Sequence, residues 1–209
     1  MRTDADLVLA ADPCGSTNPS LVSAAVRAGG QGILDVGTAS DLTAALDDLH
    51  RRGTRSTWLR PRPSIAPSDL PPDPTVAIDA VVVNSGPAGT DALLAALATW
   101  RAGGHRVIAQ VTSRSQAEAA VSAGASGLIA SGCEAGGVVG VTEAFVLFQQ
   151  VIDLGVPVWV RGGIGLHTAA AVAAGGGAGV VLDAQLALLR EAKLGVDARR
   201  AVEAMDGSE

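Results

Sequence analysis

The chain has 209 residues, of which 48% are hydrophobic and 17% charged, and its formal net charge is −6. This length supports one sizeable core rather than two α/β domains, and the composition excludes a disordered chain. Aromatic residues make up only 2%, so few rings could stack on nucleobases, and no basic surface matches a phosphate backbone. We therefore expect one folded domain over 1–209 and no nucleic-acid partner.

Membrane and metal functions are also disfavoured. No apolar run approaches the roughly 20 residues that span a bilayer, and the first residues lack a signal-peptide pattern. Cys14 and Cys133 lie far apart, without the spacing of metal ligands. The expectation is a cytoplasmic protein with no membrane partner and no metal site.

Short apolar runs alternate with helical patterns along the chain. Strands are predicted at about 7–10, 32–36, 56–60, 80–84, 106–111, 127–130, 157–161 and 179–183. Helices are predicted to begin at the N-caps Asn18 and Asp41, and to cover about 90–102, 114–123, 145–152 and 166–174. Six prolines within 61–74 forbid a regular helix in that segment.

Eight strand–helix alternations predict a parallel sheet, and eight is the number that closes a barrel. The predicted fold is a compact α/β (β/α)8 TIM barrel whose third helix is shortened or missing. A doubly wound open sheet is the alternative. The segment Gly163-Ile-Gly165 matches a dinucleotide fingerprint only weakly, because the third glycine is missing.

The seventh unit carries the clearest ligand signal. Gly162, Gly163 and Gly165 leave backbone N–H groups uncovered just before the predicted helix at 166–174. A helix start of this kind favours an anion, and phosphate is the usual one. The pattern predicts a phosphate-bearing ligand at the rim where the strands end, which is where such barrels carry their sites.

Polar residues that follow the strands are expected at the same rim: Asp12, Cys14, Asp35, Arg60, Asn84, Gln110, Thr112, Ser131, Cys133, Glu134, Arg161, His167 and Asp183. The segment 131–140 holds four glycines in ten residues, which lets its backbone approach a flat ligand. A long flexible turn is the alternative. Glu134 is expected to accept backbone N–H groups and fix this loop rather than act in acid–base chemistry.

Cys133 and His167 are the candidate catalytic residues. Cys133 has the chemistry of a nucleophile, but no histidine is close in sequence, and a small buried residue is the competing interpretation. His167 begins a predicted helix, where its protonated form is disfavoured. It is either a ligand donor or proton carrier, or a plain surface residue.

Three segments resemble a known family: Gly132-Cys-Glu-Ala-Gly-Gly137, Pro157-Val-Trp-Val-Arg-Gly-Gly-Ile164 and Ala178-Gly-Val-Val-Leu182. They are similar to the FMN-dependent barrel oxidoreductases, which include nitronate monooxygenase (2-nitropropane dioxygenase) and the flavin enoyl reductases of fatty-acid synthesis. The segments 163–170 and 182–188 are similar to the versions embedded in polyketide and polyunsaturated fatty-acid synthases. By this resemblance the chain is the excised N-terminal barrel of a larger synthase.

The resemblance implies an FMN cofactor with NAD(P)H as donor, and Cys133 and His167 are our own candidates for proton delivery. The implied FMN contacts are the amides of Gly162, Gly163, Asp183 and Ala184 for the phosphate, and Ala11, Asn84, Gln110, Gly136 and Gly137 around the isoalloxazine. The implied partners are an acyl substrate held on a carrier protein and the other synthase domains. Ala-rich helix faces also allow a homodimer.

Two positions depart from the family pattern. Val138 stands where family enzymes usually carry a histidine, and Asp183-Ala184 stands where a Gly-Thr pair commonly receives the phosphate. A carboxylate facing a phosphate is repelled, so either Asp183 turns away or the phosphate site is lost. Three hypotheses follow: an FMN-dependent oxidoreductase acting on an acyl substrate, a degenerate barrel kept as a structural or docking domain, and a non-redox lyase or isomerase with a phosphate cradle.

Overall fold

A computed structural model describes residues 7–205 as a closed barrel of eight parallel strands. The strands are β1 Val8–Ala11, β2 Gln31–Val36, β3 Ser56–Pro61, β4 Ala77–Asn84, β5 Val107–Val111, β6 Gly127–Ser131, β7 Val158–Arg161 and β8 Gly179–Leu182. Each strand pairs with the next along the chain, and β8 pairs with β1. The predicted TIM barrel is confirmed, and the open sheet is excluded.

Helices on the outside of the barrel follow most of the strands. They are α1 Pro19–Arg27, α2 Ala39–Arg51, α3 Thr90–Ala102, α4 Arg114–Ser122, α5 Ala144–Val151, α6 Leu166–Ala174 and α7 Val196–Glu203. A single 3-10 turn, Pro67–Asp69, replaces the helix that would follow β3. The predicted loss of the third helix is therefore confirmed, and the ring constraints of the six prolines explain it.

Side-chain caps decide where the first helices begin. The Asn18 side chain accepts the N–H of Leu21, and Pro19 occupies the first helical position, as expected. The prediction for α2 was wrong: Thr38 is the N-cap, and its hydroxyl accepts the N–H of Asp41. Asp41 lies in the first turn instead, where its charge still complements the helix dipole.

The barrel interior is filled by a compact apolar core. Alternate side chains along the strands point inward, and together with Ala178, just before β8, they form one cluster: Leu9, Ala11, Ile33, Trp58, Ala80, Val82, Ile108, Ile129, Trp159, Ala178 and Val181. The rings of Trp58 and Trp159 meet edge to face with centroids 5.1 Å apart. The guanidinium of Arg106 lies over both rings, at 5.4 and 5.8 Å.

This packing leaves no channel through the barrel, so a ligand site can lie only at a rim or on the outside. A second, larger core fills the space between the strands and the helices. Within residues 7–205, no helix is long and apolar enough to cross a membrane.

Replacing Trp58 by alanine tests the importance of the interior core. Trp58 is fully buried, so its loss leaves a cavity, and we expect the free energy of unfolding to fall by about 3–5 kcal/mol. Urea unfolding followed by circular dichroism measures this change. Leu166→Ala is the control, because Leu166 is 89% exposed, and it should change the value by less than about 0.5 kcal/mol. Equal effects of the two substitutions would contradict this description of the core.

Candidate functional site at the mouth of the barrel

A cavity of about 290 Å³ opens at the ends of the strands. Its lining comprises Asp12, Pro13, Cys14, Gly15, Asp35, Arg60, Pro61, Arg62, Pro63, Asn84, Gln110, Gly136, Gly137, Val138 and Arg161. Many of these polar residues lie two positions after an inward-facing core residue, as Arg60 follows Trp58 and Arg161 follows Trp159. The period of two in a strand therefore places a polar layer directly above the apolar core.

The first element of this layer is the ion pair between Asp35 and Arg60. The two residues are register partners on β2 and β3, so their side chains leave the sheet side by side. Nε and Nη2 of Arg60 donate to Oδ1 and Oδ2 of Asp35 at 2.6 and 2.9 Å, a two-pronged arrangement that fits both planar groups. Burial by itself lowers the pKa of Arg60, but the attraction and hydrogen bonding of Asp35, together with the charges of Asp183 and Asp12, raise that pKa overall.

The second element is the ion pair between Arg161 and Asp183. Nη2 of Arg161 lies 2.8 Å from Oδ2 of Asp183, and both side chains are more than nine-tenths buried. Nη1 of Arg161 lies 3.5 Å from the Ser131 hydroxyl, while Nε has no hydrogen-bond partner. Burial, and then repulsion by Arg60, lower the pKa of Arg161. Its guanidinium nevertheless stays charged at neutral pH.

Asp12 supports the mouth but is not available to a ligand. Its Oδ1 accepts the N–H groups of Cys14 and Ser16 at 3.0 and 3.1 Å. Its Oδ2 accepts the side-chain amide of Asn18 at 2.9 Å. The carboxylate therefore fixes the turn between β1 and α1.

The glycine-rich loop between β6 and α5 closes over the mouth. Glu134 accepts the N–H of Ala144, the first residue of α5, at 3.0 Å, which fixes the loop as the sequence predicts. A Cβ atom at Gly132 would lie 2.2 Å from the Ala144 nitrogen, so no other residue fits this position. Farther along, the Gly136 N–H points to Oδ2 of Asp183 at 3.4 Å. The loop thus covers the Arg161–Asp183 pair.

The turns after β7 and β8 are joined by one side chain that sequence reasoning missed. Oε1 of Gln185 accepts the Asp183 N–H at 3.1 Å, and Nε2 of Gln185 donates to the Ile164 carbonyl at 2.9 Å. On the β7 side, no acceptor for the Gly163 N–H lies among the described residues, and Gly163 has a φ of +58°. The only signal for the bridge in the sequence is an amide side chain two residues after Asp183.

The residues present do not fit an FMN cofactor. The Asp183 amide, one of the groups expected to hold the phosphate, is already bonded to Gln185. The cavity at the mouth does not reach Gly162 or Gly163, and its volume is at the lower limit of about 300 Å³ for ligand pockets. Charged groups of Arg60 and Arg161 lie where the resemblance places the isoalloxazine. The glycine turn after β7 and the mouth are therefore not joined into one flavin-sized site.

The expected cofactor contacts are distributed unevenly around this site. Asn84, Gln110, Gly136 and Gly137 all line the cavity. Ala11 is fully buried within the interior core. Gly162, Gly163 and Ala184 lie in the two turns outside the cavity lining, and Asp183 turns its carboxylate to Arg161. Sequence reasoning placed the mouth residues at one rim but did not separate the rim into these two regions.

The two candidate catalytic residues do not line the cavity. Cys133 is exposed on the loop after β6, and His167 is exposed in the first turn of α6. Partial desolvation of the sulfur, and then the negative charges of Glu134 and Glu143, raise the pKa of the Cys133 thiol. A raised pKa reduces the thiolate that nucleophilic attack requires. Among residues 7–205, no group of three His, Cys, Asp or Glu side chains is placed to hold a metal ion.

Comparison with solved structures shows where this fold occurs. FabK from Thermotoga maritima superposes with a TM-score of 0.76 at 24% identity, covering 96% of this chain and 65% of that chain. Nitroalkane oxidase from Streptomyces ansochromogenes gives 0.72 at 21% identity, with coverages of 93% and 70%. Thiamine phosphate pyrophosphorylase from Pyrococcus furiosus gives 0.59 at 18% identity, with coverages of 96% and 93%.

These similarities establish the barrel fold, and this chain spans about two thirds of the length of FabK. No protein-family profile matches the sequence, and no curated protein matches it. The protein is thus a (β/α)8 barrel with a charged, largely self-neutralised mouth.

Removing one partner of the buried ion pair tests the electrostatics of the mouth. Asp183→Asn leaves the Arg161 charge buried without a counter-charge, so we expect the free energy of unfolding to fall by about 3–5 kcal/mol. Asp153→Asn is the matched control, because it removes an exposed partner of Arg114, and it should cost at most about 1 kcal/mol. Urea unfolding of both variants checks the prediction, and a harmless Asp183→Asn would refute it.

The raised pKa of Cys133 predicts slow alkylation. In a Cys14→Ser background, labelling of Cys133 by iodoacetamide at neutral pH should be slower than that of an unfolded control, and it should accelerate as the pH rises. Glu143→Gln removes one of the charges that raise this pKa, so it should increase the rate at neutral pH. Mass spectrometry follows the reaction. A rate that Glu143→Gln leaves unchanged would show that the charge has no effect on the thiol.

Proposed function

We propose that this chain is a barrel of the FMN-oxidoreductase type that works without flavin, as a non-catalytic domain of a polyketide or fatty-acid synthase. The observation that carries the proposal is that the protein's own side chains occupy the region where the resemblance places the flavin. Gln185 holds the Asp183 amide, and Asp183 pairs with Arg161 at the mouth.

The relation to flavin barrels is supported by two independent findings. Three sequence segments resemble the family, and they fall at the loop after β6, at β7 with its turn, and at β8. FabK and nitroalkane oxidase share the fold at TM-scores above 0.7. The synthase context rests on the resemblance of the segments 163–170 and 182–188 alone.

The absence of catalysis is supported by the chemistry of the cavity lining. It contains no histidine, because Val138 occupies the position of the family histidine and His167 lies outside. Its carboxylates are engaged: Asp35 by Arg60, and Asp12 by two backbone amides and Asn18. Apart from the free thiol of Cys14, no side chain of the lining is therefore placed to exchange protons with a substrate near neutral pH.

A second candidate function is an FMN-dependent oxidoreductase that uses NAD(P)H and an acyl substrate. The specific observation in its favour is the N-terminus of α6, where the Gly163 amide has no acceptor among the described residues and Gly165 faces open space. Such a turn can receive a phosphate. This function requires Gln185 and Asp183 to leave the positions that the structure gives them.

Flavin binding separates the two candidates. The purified protein should be colourless, without the flavin absorbance near about 450 nm, and added FMN should keep its fluorescence at all protein concentrations. A yellow protein, or saturable quenching of FMN by the unmodified chain, would overturn the proposal in favour of the oxidoreductase.

A double variant tests why flavin is excluded. Asp183→Gly with Gln185→Ala frees the backbone amide and leaves the Arg161 charge available to a phosphate. We expect FMN affinity to rise at least about tenfold, the equivalent of one charge-assisted hydrogen bond. Gln149→Ala, an exposed site on α5, is the control and should leave FMN unbound. No gain in the double variant would show that other features exclude the flavin.

A further inference from the structure

Among residues 7–205 the helix layer of the barrel is incomplete at a second place besides the one after β3, between β8 and β1. A right-handed crossover packs each helix over its own strand and the next one, as α1 does on β1 and β2. The helix following β8 would therefore cover β8 and β1. The chain instead forms a 3-10 turn, Ala184–Leu186, and then α7, which has no buried residue.

A groove of about 550 Å³, lined by apolar residues and glycines, lies over β8 and β1 where this helix would pack. Its lining is Leu7, Val8, Ala10, Leu21, Ala24, Ala25, Ala28, Gly29, Gly30, Leu182, Leu186 and Leu189. The outward-facing residues of β1 and β8 form its floor, and α1 forms one wall. Leu7, Val8 and Leu189 are each at least 40% exposed. Leaving such a surface in water is unfavourable, and contiguous apolar patches of this kind mark interaction sites.

A basic pocket adjoins this groove. Arg27, Arg52, Arg190 and Lys193 line it together with a single carboxylate, Glu191. Both surfaces share α1 and the segment after β8: Leu189 faces the groove, and the next residue, Arg190, faces the basic pocket. Arg52 pairs with Asp48 and Arg190 with Glu191, whereas among residues 7–205 neither Arg27 nor Lys193 has a carboxylate partner within ion-pair distance. This local cation cluster contrasts with the net charge of −6 of the whole chain.

We infer that the groove docks an amphipathic helix with an acidic face from a partner protein. The apolar side of such a helix would replace the missing helix over β8 and β1, and its carboxylates would meet the cations of the adjoining pocket. The inference rests on the proposed non-catalytic role, since it names the surface by which such a barrel would serve a partner. The groove lies outside the mouth, so flavin binding tests that role separately.

Contacts and charge disfavour two other occupants. α7 of the same chain carries two arginines and two carboxylates, so it has no acidic excess for the basic pocket, and its Arg199 already donates to the carbonyls of Leu188 and Leu189. A second copy docked through a two-fold contact would bring two basic pockets together. An acidic helix has neither conflict.

A designed peptide tests the inference directly. The probe is a fluorescein-labelled helix of about 16 residues, long enough to be helical once docked, with leucines at positions i, i+3, i+4 and i+7 and glutamates elsewhere. The matched probe carries lysines in place of the glutamates. Fluorescence anisotropy at low salt should show saturable binding of the glutamate peptide, weakened by added salt, and at least tenfold weaker binding of the lysine peptide.

Paired variants locate the binding surface. Leu189→Glu should weaken binding at least tenfold, whereas Leu188→Glu, equally charged and 46% exposed but outside the groove lining, should not. Arg27→Glu should weaken binding, and Arg55→Glu, an exposed site elsewhere, should not. Ala28→Glu, also exposed in the groove, replaces Leu189→Glu if that variant has a lowered Tm.

The inference would be overturned by equal binding of the two peptides, by no saturable binding, or by equal effects of Leu189→Glu and Leu188→Glu. Light scattering measures the oligomeric state of the protein and of the Leu189→Glu variant. A dimer that Leu189→Glu dissociates would show that a second copy occupies the groove instead.

Discussion

Closure of the barrel around a filled interior is the constraint on which the rest of this structure depends. Trp58 and Trp159 occupy the space along the barrel axis, and Arg106 lies over both rings. No ligand can enter between the strands, so recognition is confined to the mouth and to the outer surface. These two regions differ in polarity: the mouth contains buried charged residues, and the outer surface over β8 and β1 exposes apolar residues.

At the mouth, four of the charged residues neutralise one another in two buried pairs. Asp35 and Arg60 pair in two-pronged geometry, and Arg161 and Asp183 form a second buried pair. Removing such ions from water is expensive, and their mutual attraction approximately offsets that cost. The pairs therefore do more to fix one arrangement of the mouth than to stabilise the fold. A flavin would have to displace groups that already satisfy each other.

Much of this arrangement could be predicted from particular residues. The alternation of strands and helices predicted the barrel, and the prolines of 61–74 predicted that the third helix would be absent. Strand periodicity placed Arg60, Gln110 and Arg161 at one rim, because residues two positions apart share a face. Because Asp183 departs from the family pattern, the sequence also indicated that its carboxylate could turn away from the glycine turn after β7. The predicted N-cap of α2, Asp41, lies three residues after the observed one, Thr38. Both residue types are suitable N-caps, and the backbone geometry decides between them.

The sequence by itself determined the barrel, the polar character of its mouth and the glycine turn after β7, because periodicity, glycines and prolines act over a few neighbouring residues. Only the tertiary structure decided that Arg161 pairs with Asp183, that Gln185 bridges to Ile164, and that no helix within residues 7–205 covers β8 and β1. These contacts join residues 21 or more positions apart, so they depend on strand register and side-chain orientation after the barrel has closed. Local sequence patterns predict neither the strand register nor these side-chain orientations.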